Sequence, residues 1–314
     1  MAENKVVIVG AGMVGSTAAY AMVMGGTASE IVLLDVNRAR AEGEAMDLSH
    51  GLAFVRPVRV RAGDYSDCRE AAVVVLAAGV NQKPGETRLD LVRANHRVFQ
   101  EVVPRVAEHA SGDTILLVVT NPVDILTYVA FRLSGYPPSR VIGSGTTLDS
   151  SRFRYLVGEH CGVDVRNVHA YIIGEHGDTE VAAWSLTNIA GARLEEYCPA
   201  CGRTCGGIMR ESIFQKVRDA AYHIIERKGA TYYAIGLAIR RIVESIVRDE
   251  NSVLTVSSLM EGQYEVEDVC LSLPSVVNRR GREQILDLPL SDEEREAFRH
   301  SALTIKQVLQ ELGY

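Results

Sequence analysis

The segment VIVGAGMVG near the start of the chain strongly limits the folds that this sequence can adopt. An apolar strand leads into it, and a helical pattern follows from Met13 and Val14. In such a turn Gly10 permits a sharp bend, Gly12 lets the backbone approach a pyrophosphate, and Gly15 allows the helix to pack closely on the strand. The first turn of the helix would then offer unpaired N–H groups, and the positive end of its dipole, to the phosphates.

An acidic residue follows at the spacing that this motif requires. A second apolar strand ends in Asp35, about twenty residues beyond Gly15. A carboxylate at that position accepts hydrogen bonds from both hydroxyls of a ribose and repels a 2′-phosphate. Glycines alone often serve only to make turns, and an aspartate can be a simple surface residue. The strand, the glycines and the acid together predict a dinucleotide site that prefers NAD to NADP.

The order of apolar and amphipathic segments predicts an α/β fold. Short apolar runs alternate with helical patterns through the first half, which is typical of a parallel sheet covered by helices. The predicted strands lie at residues 5–9, 31–35, 58–61, 72–78, 114–119 and 140–142. The alternation ends near Thr146. We therefore expect a Rossmann-type doubly wound parallel sheet over residues 1–145 and a mixed α+β catalytic domain over residues 146–314.

The second half predicts a less regular order of elements. Strands are expected at residues 169–173, 182–188, 253–259 and 268–273, and helices at residues 148–161, 207–227 and 231–247. A last helix is predicted from Ser291, whose hydroxyl can cap it, and the acids that follow suit the positive end of the helix dipole. The basic run at residues 279–282 is interpreted as a solvated hairpin turn.

The composition argues against several classes of protein. Hydrophobic residues make up 47% and charged residues 23% of the 314 residues, the balance of a soluble globular protein. The formal net charge of −7 argues against nucleic acid or an anionic membrane as a partner. The sequence shows no secretion signal and no apolar run of the roughly 18 residues that a membrane span needs, so a cytoplasmic location is expected.

The six cysteines are expected to be free thiols, because nothing in the sequence suggests an oxidising compartment. Cys198, Cys201 and Cys205 form CxxCxxxC in a predicted loop. Tetrahedral zinc needs a fourth ligand, and no histidine lies nearby in the sequence, so no metal site is expected. The other three cysteines are expected to be small buried hydrophobic residues: Cys68, Cys161 and Cys270.

Reactive side chains stand at the ends of strands and at the starts of helices in four further segments. His176 lies in GEHGD directly after a predicted strand, and Asn121 follows another strand, at the edge where ligands bind in open α/β sheets. Asp149 and Arg152 are spaced by three at the start of a helix, which places both on one face. Arg88 ends a turn-rich loop of the kind that closes over a site. Each also has a plainer interpretation, as a core, capping or surface residue.

Together these groups match the needs of hydride transfer to a 2-oxo acid. Arg152 can bind a carboxylate through two parallel hydrogen bonds. His176 can donate a proton to the carbonyl oxygen, and Asp149 would orient the ring and stabilise its charged form. Arg88 would polarise the carbonyl while its loop excludes water.

The sequence resembles the bacterial L-lactate dehydrogenases of the lactate/malate dehydrogenase family from end to end. The matching segments are GAGMVG, AAGVNQKPGETRLDL, VVTNPVDILTY, GSGTTLDSSRFR, GEHGD and KGATYYAIG. The resemblance implies that His176 is the proton donor and Asp149 its partner. It also implies that Arg152 clamps the substrate carboxylate and that Arg88 is the arginine of the closing loop. Asn121 is implied to contact the nicotinamide and the substrate.

The resemblance also bears on the substrate. It implies reversible hydride transfer between NADH and pyruvate, giving (S)-lactate, with Thr231 lining the pocket. Malate dehydrogenases of the family carry arginine where Gln82 stands, to meet the second carboxylate of oxaloacetate. The neutral Gln82 favours pyruvate, because an unmatched buried arginine would be costly beside a methyl group. Lys83 could partly serve a longer acid, so malate dehydrogenase is an alternative, and a non-catalytic NAD-binding protein is a second.

A further part of the resemblance concerns regulation. Allosteric members of the group bind fructose 1,6-bisphosphate across a subunit interface, through an arginine and a histidine that match Arg154 and His169. The resemblance therefore implies a homotetramer that this sugar bisphosphate activates. Arg154 lies two residues past Arg152, so it points away from the active face of the helix. The alternative is that Arg154 and His169 are interface or surface residues that only pair with acids.

Overall fold

The structure is a computed structural model that describes residues 4–80, 87–202 and 206–314. Its strands, in chain order, are β1 (Lys5–Val9), β2 (Glu30–Leu34), β3 (Arg59–Ala62), β4 (Ala71–Leu76), β5 (Ile115–Val118), β6 (Val141–Gly143), β7 (Val168–His169), β8 (Ile172–Ile173), β9 (Val181–Ala182), β10 (Asn188–Ile189), β11 (Ala192–Arg193), β12 (Ser252–Glu261), β13 (Glu267–Asn278) and β14 (Gly281–Ile285). Its helices are α1 (Met13–Gly25), α2 (Arg38–His50), α3 (Arg88–His109), α4 (Val123–Ser134), α5 (Thr147–Cys161), α6 (Leu194–Cys201), α7 (Gly207–Lys228), α8 (Tyr233–Val247) and α9 (Asp292–Glu311).

Nine strands of the described residues form one continuous sheet, in the order β14-β13-β12-β6-β5-β4-β1-β2-β3. The six strands from β6 to β3 run parallel to their neighbours, which confirms the predicted doubly wound sheet. Alternate residues of β1 enter two separate apolar cores: Val7 and Val9 lie on one face of the sheet, and Val6 and Ile8 on the other. Both faces are buried because helices cover both.

The last three strands continue this sheet with antiparallel pairing. Ser257 of β12 pairs with Gly143 of β6, so the two halves of the chain share one sheet. The predicted basic turn lies between β13 and β14. Arg282 is nevertheless buried, and its Nη2 donates to Glu261 Oε2 at 2.9 Å. The expectation of a solvated turn is therefore wrong for Arg282.

The short strands of the second half form two small sheets, β11-β10-β7 and β8-β9. The single strand predicted at residues 169–173 is therefore wrong, because the chain leaves one sheet at His169 and enters the other at Ile172. The strand predicted at residues 182–188 is interrupted by a 3-10 turn at Trp184–Leu186. A third apolar core lies between α5, α6 and α7 beside these sheets.

The region of the three close cysteines differs from its prediction. It contains helix α6 instead of only a loop. Cys198 is buried in α6 and takes part in a disulfide, so the expectation of a free thiol is wrong there. The side chain of Cys201 and the whole of Cys205 lie outside the described residues. The other three cysteines, Cys68, Cys161 and Cys270, are buried as expected, and Cys68 and Cys270 are free thiols.

The described residues contain no cluster of three His, Cys, Asp or Glu side chains that could hold a metal ion. No helix within them is long and apolar enough to cross a membrane. The last helix begins as predicted, because the Ser291 hydroxyl accepts the N–H of Glu294 and the Glu294 carboxylate accepts the N–H of Ser291.

Candidate active site

The glycines of the turn between β1 and α1 differ in how much space a side chain would have. Gly10 has a φ of +106°, and a Cβ there would lie 2.5 Å from the Ala78 nitrogen. A Cβ on Gly15 would lie 1.9 Å from the Gly10 oxygen. A Cβ on Gly12, in contrast, would have no described atom within 4 Å. Packing therefore requires glycine at Gly10 and Gly15, while Gly12 leaves its backbone open to a ligand.

The start of α1 is prepared for an anion. Gly12 caps the helix without a side-chain hydrogen bond, and the first turn holds no acid. The first N–H groups and the positive end of the dipole are therefore available to phosphates. Asp35 follows β2 beside this turn, where its Oδ2 accepts the Ala11 N–H at 2.8 Å and its Oδ1 accepts the Asn37 N–H at 2.9 Å. These residues fit the pyrophosphate and ribose of a dinucleotide.

A buried carboxylate joins the predicted proton donor to the predicted carboxylate clamp. Asp149 lies in the first turn of α5 and is 2% exposed. His176 Nδ1 donates to Asp149 Oδ2 at 2.5 Å, and Arg152 Nη1 donates to Asp149 Oδ1 at 2.7 Å. Because an ionised carboxylate only accepts hydrogen bonds, Nδ1 carries a hydrogen. Nε2 is therefore the nitrogen that can exchange a proton with a substrate. The structure thus brings together three residues that the sequence analysis singled out.

The charges of this cluster favour an imidazolium ion. Burial on its own lowers the pKa of His176, but the Asp149 carboxylate outweighs burial and raises this pKa to about 9. Burial on its own raises the pKa of Asp149, but the positive charges of His176 and Arg152 hold it below the usual range. At neutral pH the ring is therefore protonated and the carboxylate ionised. His176 can act as a proton donor only if its ring is protonated at the start of the reaction.

Three further acids lie near His176, and none of them was predicted as part of the site. Asp124 Oδ2 accepts the backbone N–H of His176 at 2.7 Å, and burial raises the pKa of Asp124 to about 6. Burial also raises the pKa of Glu180 to about 8, with the Asp149 charge adding to it. Glu175 is buried as well and accepts the Thr179 hydroxyl at 2.5 Å. For Asp124 the sequence signal is an acid inside an otherwise apolar stretch, PVDIL.

A buried side-chain amide links the segment that follows β4 to the segment that follows β5. Asn95 of α3 is 1% exposed. Its Oδ1 accepts the Val80 N–H at 2.7 Å, and its Nδ2 donates to the Asn121 carbonyl at 2.8 Å. Asn121 itself follows β5, is exposed, and precedes Pro122 through a cis peptide bond. Asn95 therefore fixes the position of Asn121 relative to the end of β4. Asn95 was not predicted either, because a lone asparagine in a helix carries no motif.

The remaining predicted residues lie elsewhere in the fold or outside the described part. Arg88 is the first residue of α3, which Thr87 caps. Its side chain and Gln82 lie outside the described residues. Thr231 is half-buried in the segment between α7 and α8. Arg154 lies on α5, where its Nε donates to the Ala170 carbonyl at 3.0 Å rather than joining the Asp149 cluster.

The fold and the buried charge cluster together define a dinucleotide-dependent dehydrogenase. Family models match both halves of the chain. Residues 4–143 match the NAD-binding domain of lactate/malate dehydrogenase, and residues 146–312 match the α/β C-terminal domain of the same family. The chain therefore belongs to the lactate/malate dehydrogenase family, and its N-terminal half is an NAD-binding domain, as predicted.

Individual relatives support this assignment over the whole chain. The chain is 58% identical over 309 residues to an L-lactate dehydrogenase of Acetivibrio thermocellus, covering 98% of this chain and 97% of the relative. It is 56% identical over 310 residues to L-lactate dehydrogenase 1 of Clostridium acetobutylicum, covering 99% of each. The crystal structure of the ligand-bound minor L-lactate dehydrogenase of Enterococcus mundtii superposes with a TM-score of 0.95 at 47% identity, covering 98% of each chain.

Proposed function

We propose that the chain is an NAD-dependent L-lactate dehydrogenase, which interconverts pyruvate and (S)-lactate. The observation that carries this proposal is the arrangement of His176 and Arg152 on the two oxygens of buried Asp149. A proton donor and a cation that can hold a carboxylate are thereby set side by side, as reduction of a 2-oxo acid requires. Full-length relatives named L-lactate dehydrogenase support the choice of substrate.

NADH supplies the hydride when it is bound. The first N–H groups of α1, in the turn from Gly10 to Gly15 with Met13 and Val14, would hold its pyrophosphate. Asp35 would accept hydrogen bonds from its ribose hydroxyls. Asn121 would contact the nicotinamide region.

The protein's own groups handle the substrate and the proton. Arg152 binds the substrate carboxylate with the N–H groups that Asp149 leaves unused. Protonated His176 donates from Nε2 to the carbonyl oxygen as negative charge develops there, and Asp149 keeps the ring in place. Arg88 adds positive charge near the carbonyl. In the reverse direction neutral His176 accepts the proton of the lactate hydroxyl.

The choice between pyruvate and oxaloacetate is assigned to Gln82, with Thr231 limiting the size of the pocket. A neutral amide leaves a second substrate carboxylate unpaired, and burying an unpaired charge is costly. Initial rates of NADH oxidation with pyruvate and with oxaloacetate test this assignment. Faster turnover of pyruvate supports it. Faster turnover of oxaloacetate would instead identify a malate dehydrogenase that retains the same proton donor and cofactor site.

We also propose that fructose 1,6-bisphosphate activates the enzyme at Arg154 and His169. His169 is exposed on β7, and the Arg154 guanidinium lies 5.2 Å from the Tyr171 ring, so both flank one surface segment. The test compares pyruvate saturation with and without millimolar effector in the parent enzyme and in His169→Asn. An effector that lowers the half-saturating pyruvate concentration in the parent only would support the site. Identical curves in all four cases would refute it.

The same proposal includes a homotetramer working in the cytoplasm. Apolar side chains stay exposed on α1 and α8, which supports a face covered by another subunit. They include Tyr20 and Met24 of α1 and Tyr233 and Leu237 of α8. Light scattering of the purified protein checks the tetramer, and a monomer at micromolar concentration would contradict it. Fractionation of expressing cells checks the location.

A further inference from the structure

The segment that carries His176 is held by three different elements through three successive backbone N–H groups. The Gly174 N–H donates to the Ser272 carbonyl of β13 at 2.9 Å. The Glu175 N–H donates to the Ser301 hydroxyl of α9 at 2.7 Å. The His176 N–H donates to Asp124 of α4 at 2.7 Å. Only the last of these acceptors carries a charge.

Asp124 is an unusual residue for such a structural bond. It is 2% exposed and lies between two buried apolar residues, Val123 and Ile125. Its Oδ1 is buried without a well-formed hydrogen bond among the described residues, although the Ser257 hydroxyl of β12 also faces this carboxylate. An ionised carboxylate in such surroundings is costly unless nearby positive charge compensates it. Positive charge is supplied to Asp124 by the N-terminal end of the α4 dipole and by the protonated ring of His176.

Further charged groups lie around His176 and Asp124. Asp149 of α5 and Glu180 act on the His176 ring, Arg152 of α5 pairs with Asp149, and Glu175 acts on Asp124. Asp149 acts on the ring through Nδ1, whereas Asp124 acts on the peptide of the same residue. The two carboxylates therefore hold the ring end and the backbone end of His176 separately.

We propose that Asp124 is a positioning residue that fixes the backbone of His176 and, through its charge, helps to retain the proton on the ring. The helix that carries Asp124 starts directly after the segment of Asn121. The bond from His176 to Asp124 therefore also sets the distance between the proton donor and the residue assigned to the nicotinamide region. The inference rests on the proposed role of His176 as proton donor.

The test compares Asp124→Asn with Asp124→Ala by measuring kcat/KM for pyruvate between pH 6 and 10. Asparagine keeps an oxygen for the His176 N–H and removes the charge, whereas alanine removes both. We expect Asp124→Asn to move the alkaline limb of the profile to lower pH by about one unit, the shift that loss of a nearby opposite charge produces. We expect Asp124→Ala to show the same movement and a plateau at least about tenfold lower still, because the donor is no longer held in position.

Asp47→Asn, the same exchange at an exposed site of α2, serves as the matched control and should leave the limb in place. A lowered plateau with an unmoved limb in Asp124→Asn would reduce Asp124 to a purely structural residue and overturn the proposal. If Asp124→Ala fails to fold, the position of the alkaline limb in Asp124→Asn is enough to test the proposal. A parent enzyme that does not reduce pyruvate would refute the proposed function, and this outcome is distinguishable because it needs no variant.

Discussion

Replacing Asp149 by asparagine removes the charge that keeps His176 protonated. In the parent protein the pKa of His176 lies at about 9, against an ordinary value of 6.5, because Asp149 outweighs the effect of burial. Without that carboxylate, Asp124 and Glu180 still act to raise the pKa, but each counts for less than burial, so we expect the pKa to fall to its ordinary value of 6.5 or below. At pH 7.5 the protonated fraction would then fall from roughly 97% to below about 10%. This alone predicts a loss in kcat/KM for pyruvate of about tenfold.

Loss of orientation adds to the loss of charge. The bond from His176 Nδ1 to Asp149 measures 2.5 Å, and Arg152 depends on the same carboxylate. We therefore expect Asp149→Asn to lower kcat/KM by about 100-fold or more at pH 7.5, since a positioned acid catalyst contributes about 10²- to 10⁴-fold. His176→Ala should lose a similar amount at this pH, while NADH binding stays nearly intact in both variants.

The assay is the initial rate of NADH oxidation at subsaturating pyruvate from pH 5.5 to 10, with NADH binding followed by fluorescence. The alkaline limb of the profile should move from near pH 9 to below pH 7 in Asp149→Asn, and not in the control Asp47→Asn. A variant that keeps its limb near pH 9 would refute the reasoning, because another group would then set the protonation of His176. Equal loss of activity and NADH binding would point instead to a folding defect.

Two further predictions concern the glycine turn and Glu180. A Cβ on Gly15 would lie 1.9 Å from the Gly10 oxygen, so Gly15→Ala should lower the melting temperature. Gly12→Ala should instead fold normally and weaken NADH binding at least about tenfold, because a Cβ there meets no described atom within 4 Å. Calorimetry measures the first effect and fluorescence titration the second, and a destabilised Gly12→Ala would contradict the interpretation. The raised pKa of Glu180, about 8, means that its neutral form is favoured in the fold, so stability is lost as the pH rises from 4.5 to 8. Glu180→Gln should therefore gain about 1 kcal/mol or more at pH 9 relative to the parent, and an equal loss at pH 4 and pH 9 would contradict this.

Local signals predicted the cofactor half well. Strand β1 begins and ends at the expected residues, and helix α1 begins at Met13 as expected, because the glycine turn between them is a local constraint. Asp35 lies beside that turn since the spacing of two parallel strands brings it there. The spacing of three between Asp149 and Arg152 predicted that both lie on one helix face, whereas chemical roles and the resemblance predicted that His176 joins them.

Long-range contacts account for what the sequence did not reveal. Asp124 and Asn95 act on backbone groups of residues far away in the chain, and no local pattern records such a partner. The segment at residues 169–173 splits because its two ends pair with different strands. Helix α6 was not predicted because Pro199 and the close cysteines are typical of a loop. Glu195 and Glu196 in its first turn nevertheless favour a helix start.

The junction between β6 and β12 determines how this chain can be cut or recombined. The predicted boundary at residues 145 and 146 runs through the middle of one sheet, where Gly143 meets Ser257. Either half alone would present an unpaired edge with apolar neighbours, which is a template for aggregation. A chimaera that exchanges one half for that of a relative must therefore match the strand edge as well as the active-site residues. For the same reason, we expect both halves to unfold in a single cooperative transition.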